Sequence, residues 1–156
     1  MAKKKKSGHA HEHGHAKLSL ATDGSMLNAA FEIPAEGIFG FEHQPKSASE
    51  KKILADGLLV LREEALTLLG LPVDFACKAT EINVVSSLEG VTDAAAGHAD
   101  VDANYKIVCS KSLDGAILKI GVFAKFPRIK GLNVQLITGV KQQGVELTKD
   151  RAELKL

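Results

Sequence analysis

Four of the six histidines fall in one short stretch, GHAHEHGHAKLSL, where His9, His11, His13 and His15 alternate with Ala, Glu and Gly. Alternate side chains of an extended segment share a face, which sets neighbouring imidazoles about 6.6 Å apart at the backbone. A bend at Gly8 or Gly14 would converge two or three of them on one ion. Imidazole nitrogen binds zinc at about 2.0–2.1 Å. It also suits copper and nickel, and there is no evident thiolate cluster to pull the choice toward copper(I). Glu12 can add an oxygen. The alternation differs from the unbroken run of a purification tag. The expected ligand is therefore a divalent transition metal, with Zn2+, copper and nickel all suited to it. The plain alternative is a solvated linker in which His serves only as a polar residue. A flexible arm should bind loosely, since ordering each residue costs about 1–2 kcal/mol.

Two further histidines lie elsewhere. His43 sits in FEHQP, where as a ligand it would pair with Glu42 or with an arm histidine, and otherwise is a loop residue. His98 sits in GHAD, two residues before Asp100 and near Asp93 and Asp102, so that imidazole and carboxylate share one side of an extended chain. The alternative there is an ordinary polar loop. Catalysis finds little footing. The sequence shows no GxSxG, HExxH, P-loop or dinucleotide fingerprint. A zinc hydrolase needs three fixed ligands and an open position, and histidines on a floppy arm are poorly placed for that. The expectation is a protein that is not an enzyme.

The elements that must position these residues can be read from periodicity. The chain has 156 residues, 45% of them hydrophobic, with no Trp, one Tyr and six Phe, so Leu, Val, Ile and Ala must fill the core of one domain. A formal net charge of +1 argues against a nucleic-acid binder. No apolar run is long enough to span a membrane. The start MAKKKKSGHA has the charge of a secretory leader without its apolar run of about 7–15 residues. That fits either a cytoplasmic chain or one whose natural leader has been replaced.

Residues 1–16 read as a flexible His-rich arm and 17–156 as a single domain. KLSLATD and MLNAAFEIP are two strands around the turn signal Asp23-Gly24. AEGIFGFEHQPKSASE is a loop whose Ile38, Phe39 and Phe41 should fold back over a core edge. Ser47 and Glu50 form a capping box that opens a helix to about Leu69, with Leu54, Leu58, Leu61, Ala65 and Leu68 on one stripe. Gly57 inside it costs about 1 kcal/mol relative to Ala. After Pro72 the period becomes two. DFACKATEINVVSSLEG reads as a long strand with Phe75, Cys77 and Ala79 facing one way. NYKIVCS turns Tyr105, Ile107 and Cys109 inward. SLDGAILKIGVFAKFP gives a turn and a strand apolar on both faces. LNVQLITG, GVELTKD and a short RAELKL complete the set.

The fold class is therefore α+β: an antiparallel sheet or open β-sandwich of about seven to eight strands with one main helix, about 47–69, packed on it. Cys77 and Cys109 sit in inward sets on either side of one loop. They are either two buried thiols or one disulfide, and the strand context favours the bridge. Closing that loop would add about 3–4 kcal/mol, and a disulfide implies an oxidising compartment.

Two long segments, HEHGHAKLSLATDGSML and FEIPAEGIFGFEHQPKSASEKK, with the later HADVDANYKIVC and VFAKFPRIKGLNVQLIT, resemble the ZrgA-type zinc-uptake family of Gram-negative periplasmic proteins. The likeness runs from about residue 9 to 150, and GFEHQP is among its most specific parts. It implies an exported periplasmic protein that binds zinc and assists its import. By position, His11, His13 and His15 match the family's N-terminal histidine motif, His43 its FEH motif, and His98 with Asp100 the loop before the second Cys strand. Many members carry a long His/Asp-rich insertion where this chain has only VTDAAAGHAD. On this reading the partners are the zinc ion and the solute-binding protein of a zinc importer. The rival reading is a structural or protein-interaction domain whose histidines are incidental.

Overall fold

The sequence Asp23-Gly24 makes the first turn. In the computed structural model, which describes residues 13–89 and 99–156, β1 (His15–Asp23) and β2 (Met26–Pro34) run antiparallel and are joined through Gly24 and Ser25. Gly24 has φ 62°, a left-handed value that a two-residue hairpin loop demands and glycine meets without strain. The first strand starts at His15, with Ala16 buried, two residues earlier than Lys17, where order was expected to begin. His9, His11 and His98 lie outside the described residues.

Strict alternation then builds one face of the sheet. Leu18, Leu20, Leu27, Phe31 and Ile33 are buried, while their neighbours Lys17, Ser19, Asn28 and Glu32 are exposed. The sheet has six strands in the order β3-β4-β2-β1-β6-β7, with β3 (Lys78–Ser86), β4 (Asp100–Val108), β6 (Gly131–Ile137) and β7 (Gln142–Thr148). A separate pair joins β5 (Ile117–Lys119) to β8 (Glu153–Lys155). The expected α+β class and strand number hold. One pairing departs from the antiparallel expectation: β1 and β6 are parallel. Side-chain alternation has the same period in either orientation, so it carries no signal for this.

Helices cover only the apolar face. α1 (Ala35–Phe39) follows β2 directly, then come α2 (Ala48–Glu63) and α3 (Ala65–Leu69), and α4 (Val122–Lys125) lies later in the chain. The expected stripe is buried at Leu58, Leu61, Ala65 and Leu68, with Leu54 packed at its margin. The single helix expected over 47–69 is broken at Glu64, whose φ of −118° leaves the helical region. Tyr105 of β4 donates its phenol to the Leu61 carbonyl, tying α2 to the sheet. Burial pushes that phenol's pKa up, so it stays a donor.

Three local readings change. Residues 35–39 form a short helix rather than a loop, although Ile38 and Phe39 are buried over the core edge as expected. Val73–Phe75 is a 3-10 turn, and β3 begins only at Lys78, because Pro72 and the left-handed Ala76 (φ 48°) hold the preceding residues out of the strand. The stretch expected as one strand apolar on both faces divides into β5 and α4, which bury it against different neighbours.

Gly57 acquires a reason. A Cβ there would lie 2.8 Å from both Ile38 Cγ2 and Phe39 Cε1, so the bare backbone is the notch into which α1 seats. This contact sets where the FEHQP loop leaves the core.

Candidate metal centre

Strand register gathers the described candidate ligands at one end of the sheet. His15 opens β1 and stands opposite Gly131 at the start of β6. Pro34, at the end of β2, pairs with Asp100 at the start of β4. Pro34 is followed at once by α1, whose first N–H, on Ala35, is bonded to the Ala99 carbonyl at 2.8 Å. The FEHQP loop therefore leaves from the same end.

The loop is held by an aromatic stack that runs outward from the core. Phe39 is buried and stacks on Phe41 at 5.8 Å between centroids. Phe41 in turn stacks on His43 at 5.0 Å and 22°. With its face fixed, the His43 ring presents two defined edges. Nδ1 is 2.9 Å from the Gln44 carbonyl, and Nε2 is 3.4 Å from Glu50 Oε2. A carbonyl only accepts, so Nδ1 carries the proton in that contact.

Glu50 belongs to the start of α2. Its N–H donates to Ser47 Oγ at 3.0 Å, as the capping box requires. Its own Oε1 accepts from the Lys46 N–H at 2.9 Å. That backbone hydrogen bond, with His43 and Lys46 nearby, holds the carboxyl below its ordinary pKa and thus ionised.

His13 docks on the same loop. Its Nε2 lies 3.1 Å from Glu42 Oε2. The next residue, Gly14, has φ 87°, and its carbonyl accepts from both Lys130 and Gly131. The bend expected at Gly14 is present, and His13 and His15 lie against different parts of the structure rather than converging. His13 meets Glu42, whereas His15 lies over Gly131, where a Cβ would be 3.4 Å from His15 Nδ1 and 3.2 Å from Glu146 Oε2.

His43 was expected to pair with Glu42 or with an arm histidine. The structure gives Glu42 to His13 and gives His43 to Glu50 instead, because consecutive loop residues point apart and α2 begins beside the His43 ring. Among the described residues no group of three or more His, Cys, Asp and Glu is placed to hold a metal. What the site offers is two exposed His–carboxylate contacts, His13 with Glu42 and His43 with Glu50. The sequence reading missed Glu50 as the carboxylate beside His43. Glu50 was read only as a cap, and its three-residue spacing from Ser47 carried no hint of His43.

Asp100 is half-buried at the start of β4, and its N–H donates to Ser87 Oγ at 3.3 Å. Two residues on, Asp102 faces Glu32 across the β2–β4 pair. Partial burial and the Glu32 charge raise its pKa. At the far end of the same strands Cys77 and Cys109 form the disulfide, across 32 residues of sequence. No helix among the described residues is long and apolar enough to cross a membrane.

No curated protein matches the sequence. A family model described as "ZrgA family zinc uptake protein" matches residues 10–156, which takes in His11, His13, His15, His43, both cysteines and every described strand. The disulfide fits an extracytoplasmic member of that family. A chain matched over nearly all its length belongs to the ZrgA family of zinc uptake proteins.

Proposed function

We propose that this protein works in the periplasm as a non-catalytic zinc carrier. The arm histidines His9, His11, His13 and His15 collect Zn2+, His43 and His98 with Asp100 hold it at the folded domain, and the ion passes to the solute-binding protein of an importer. The observation that carries this reading is the docking of His13 on Glu42, the residue beside His43. It brings the end of the arm onto the loop that holds the domain's own imidazole. Surface pairs of this kind exchange readily, which suits transfer better than storage. Zinc needs neutral imidazoles, so binding should fade as pH falls through about 6.5.

Replacing His9, His11, His13 and His15 by Ala is expected to remove most of the bound zinc in titration calorimetry. Unchanged stoichiometry and affinity would defeat the arm's role. The rival reading, an interaction domain with incidental histidines, draws support from the same pairs, since exposed imidazolium–carboxylate contacts are common surface features. It expects no zinc-dependent rise in melting temperature.

A further inference from the structure

We propose that the Cys77–Cys109 disulfide exchanges with a protein dithiol, that Cys77 is the sulfur attacked, and that the apolar groove beside Cys77 seats the attacking segment. The inference is independent of the zinc reading and concerns the opposite end of the sheet.

Four observations converge. The first is access. Cys109 is buried, at 6% exposure, and its N–H donates to the Ser25 carbonyl. Cys77 is only half-buried and lines a groove of about 660 Å3. A thiolate must reach one sulfur of the pair, and access helps decide which one it attacks. The second is the character of the groove. Its walls are Leu66, Leu71, Pro72, Val73 and Ile117. Val73 is 95% exposed and Ile117 48%, so two branched side chains stand in water beside the sulfur. The third is charge. Lys119 is the one charged residue of the lining, and no carboxylate accompanies it there. A cation beside the point of attack favours the thiolate over the thiol. The fourth is the backbone. Ala76, directly before Cys77, has φ 48° and is the one non-glycine with positive φ among the described residues. L side chains seldom take that conformation, and it persists only where the surroundings impose it. The bridge at the next residue is one such restraint, and opening it lets residue 76 relax.

A bridge that served stability alone would account for the link between Cys77 and Cys109. It gives no reason for an apolar rim and a single lysine around the more open of the two cysteines. A docked segment carrying a thiolate answers all three features, covering Val73 and Ile117 and meeting Lys119.

The exchange balances in two steps. The partner's first thiolate attacks Cys77 Sγ, the S–S bond breaks, and its electron pair leaves on Cys109 Sγ, which takes up a proton. A mixed disulfide then joins Cys77 to the partner. The partner's second thiolate attacks the partner's own sulfur and expels Cys77, which is protonated in turn. Two electrons and two protons have passed to this chain, and the partner holds a disulfide. The reverse sequence inserts the bond, so the same groove serves to make it and to undo it.

The test uses the full oxidised chain and, as probe, reduced thioredoxin whose second active-site cysteine is replaced by Ser, which halts the reaction at the mixed disulfide. After acid quenching and maleimide labelling, peptide mass spectrometry should find the adduct on Cys77 and the label on Cys109. V73D, a change at a fully exposed residue, and K119E should each slow adduct formation by about fivefold or more. Reduction of the same variants by dithiothreitol, too small to need the groove, should stay within about twofold of the parent. Unchanged melting temperatures of the oxidised variants show that the fold is intact. An adduct on Cys109, or on both cysteines equally, overturns the choice of sulfur. Variants that react with the probe as fast as the parent, or that slow equally with dithiothreitol, overturn the groove's role. A parent chain that forms no adduct where dithiothreitol opens the bond refutes the whole proposal.

Discussion

The two ends of the sheet are built on opposite principles. At the turn end, Cys77 and Cys109 are covalently joined beside the Lys78–Val108 pairing, and the Gly24 and Ser25 carbonyls accept from Leu113 and Cys109. At the other end, His13 lies beside Glu42 and His43 beside Glu50, and the His43 ring stacks on Phe41. The same nine-residue strands, β2 and β4, connect the two. A rigid clamp at one end leaves the other free to expose polar side chains without loosening the fold. Binding groups are commonly carried in this way, on loops supported by a scaffold.

The clamp can be broken first. Replacing both cysteines by Ala should cost about 3–4 kcal/mol in urea unfolding, the chain-entropy value for a loop of this length. Zinc affinity of the molecules that remain folded should hardly change, because the ligands are at the far end. A parallel loss of zinc binding in folded protein would show that the two ends are not independent.

Next in size is Gly57→Ala, which acts on the ligand end alone. Helix propensity favours Ala by about 1 kcal/mol, but the new methyl meets Ile38 and Phe39 at 2.8 Å. Overpacking of this kind typically costs about 1–3 kcal/mol, so a net loss is expected. The displaced Phe39 should carry Phe41 and His43 with it. The zinc-linked rise in melting temperature should therefore shrink more than the metal-free value falls. A net gain in stability would show that α1 can move aside and that Gly57 does not place the loop. Phe41→Ala is a milder version. It removes one face of the His43 ring and should cost about 0.5–1.5 kcal/mol in stability, with a drop in zinc affinity visible by calorimetry.

How much of this the sequence foretold differs between the ends. The clamp was partly readable: the cysteines were expected to face one another across one loop, with two buried thiols as the alternative, and the bridge is there although Cys77 lies just before β3 rather than inside a long strand. The stripe from Leu54 to Leu68 was equally plain, since burial enforces a 3.6-residue period that chemistry cannot disguise. At the ligand end the histidines were visible as types, but their partners were not. Glu42 and His13 are separated by 29 positions, and Glu50 meets His43 only because a capping interaction starts α2 beside it. Such pairings depend on where a loop returns in space, and no local period encodes that. The parallel β1–β6 contact was hidden for a related reason, because alternation records which face a residue takes and not which way its neighbour runs. Gly57 shows the converse. Its cost to the helix was evident from sequence, and its purpose appeared only when α1 was seen to fill the gap.

The smallest effects separate two carboxylates at the ligand end by sign. Glu50 has a folded pKa below its ordinary value of 4.5, chiefly through the Lys46 N–H. Its ionised form is thus favoured by folding. That contribution is complete above pH 4.5 and is lost as pH falls through the lowered value. Asp102 is the reverse, raised above 3.8 by partial burial and by Glu32. Folding favours its protonated form, so its presence costs stability as pH rises from 3.8 through the raised value, and the cost persists at neutrality. Asp102→Asn should therefore be slightly stabilising at pH 7, by under about 0.5 kcal/mol for an exposed site, and neutral below pH 3.8. Glu50→Gln should be slightly destabilising at pH 7, with the difference disappearing in acid. Chemical denaturation of both variants at pH 7 and pH 3 reads the two signs directly. If both variants shift stability the same way at pH 7, the contrast between a carboxylate held ionised by a backbone N–H and one crowded by its neighbour fails.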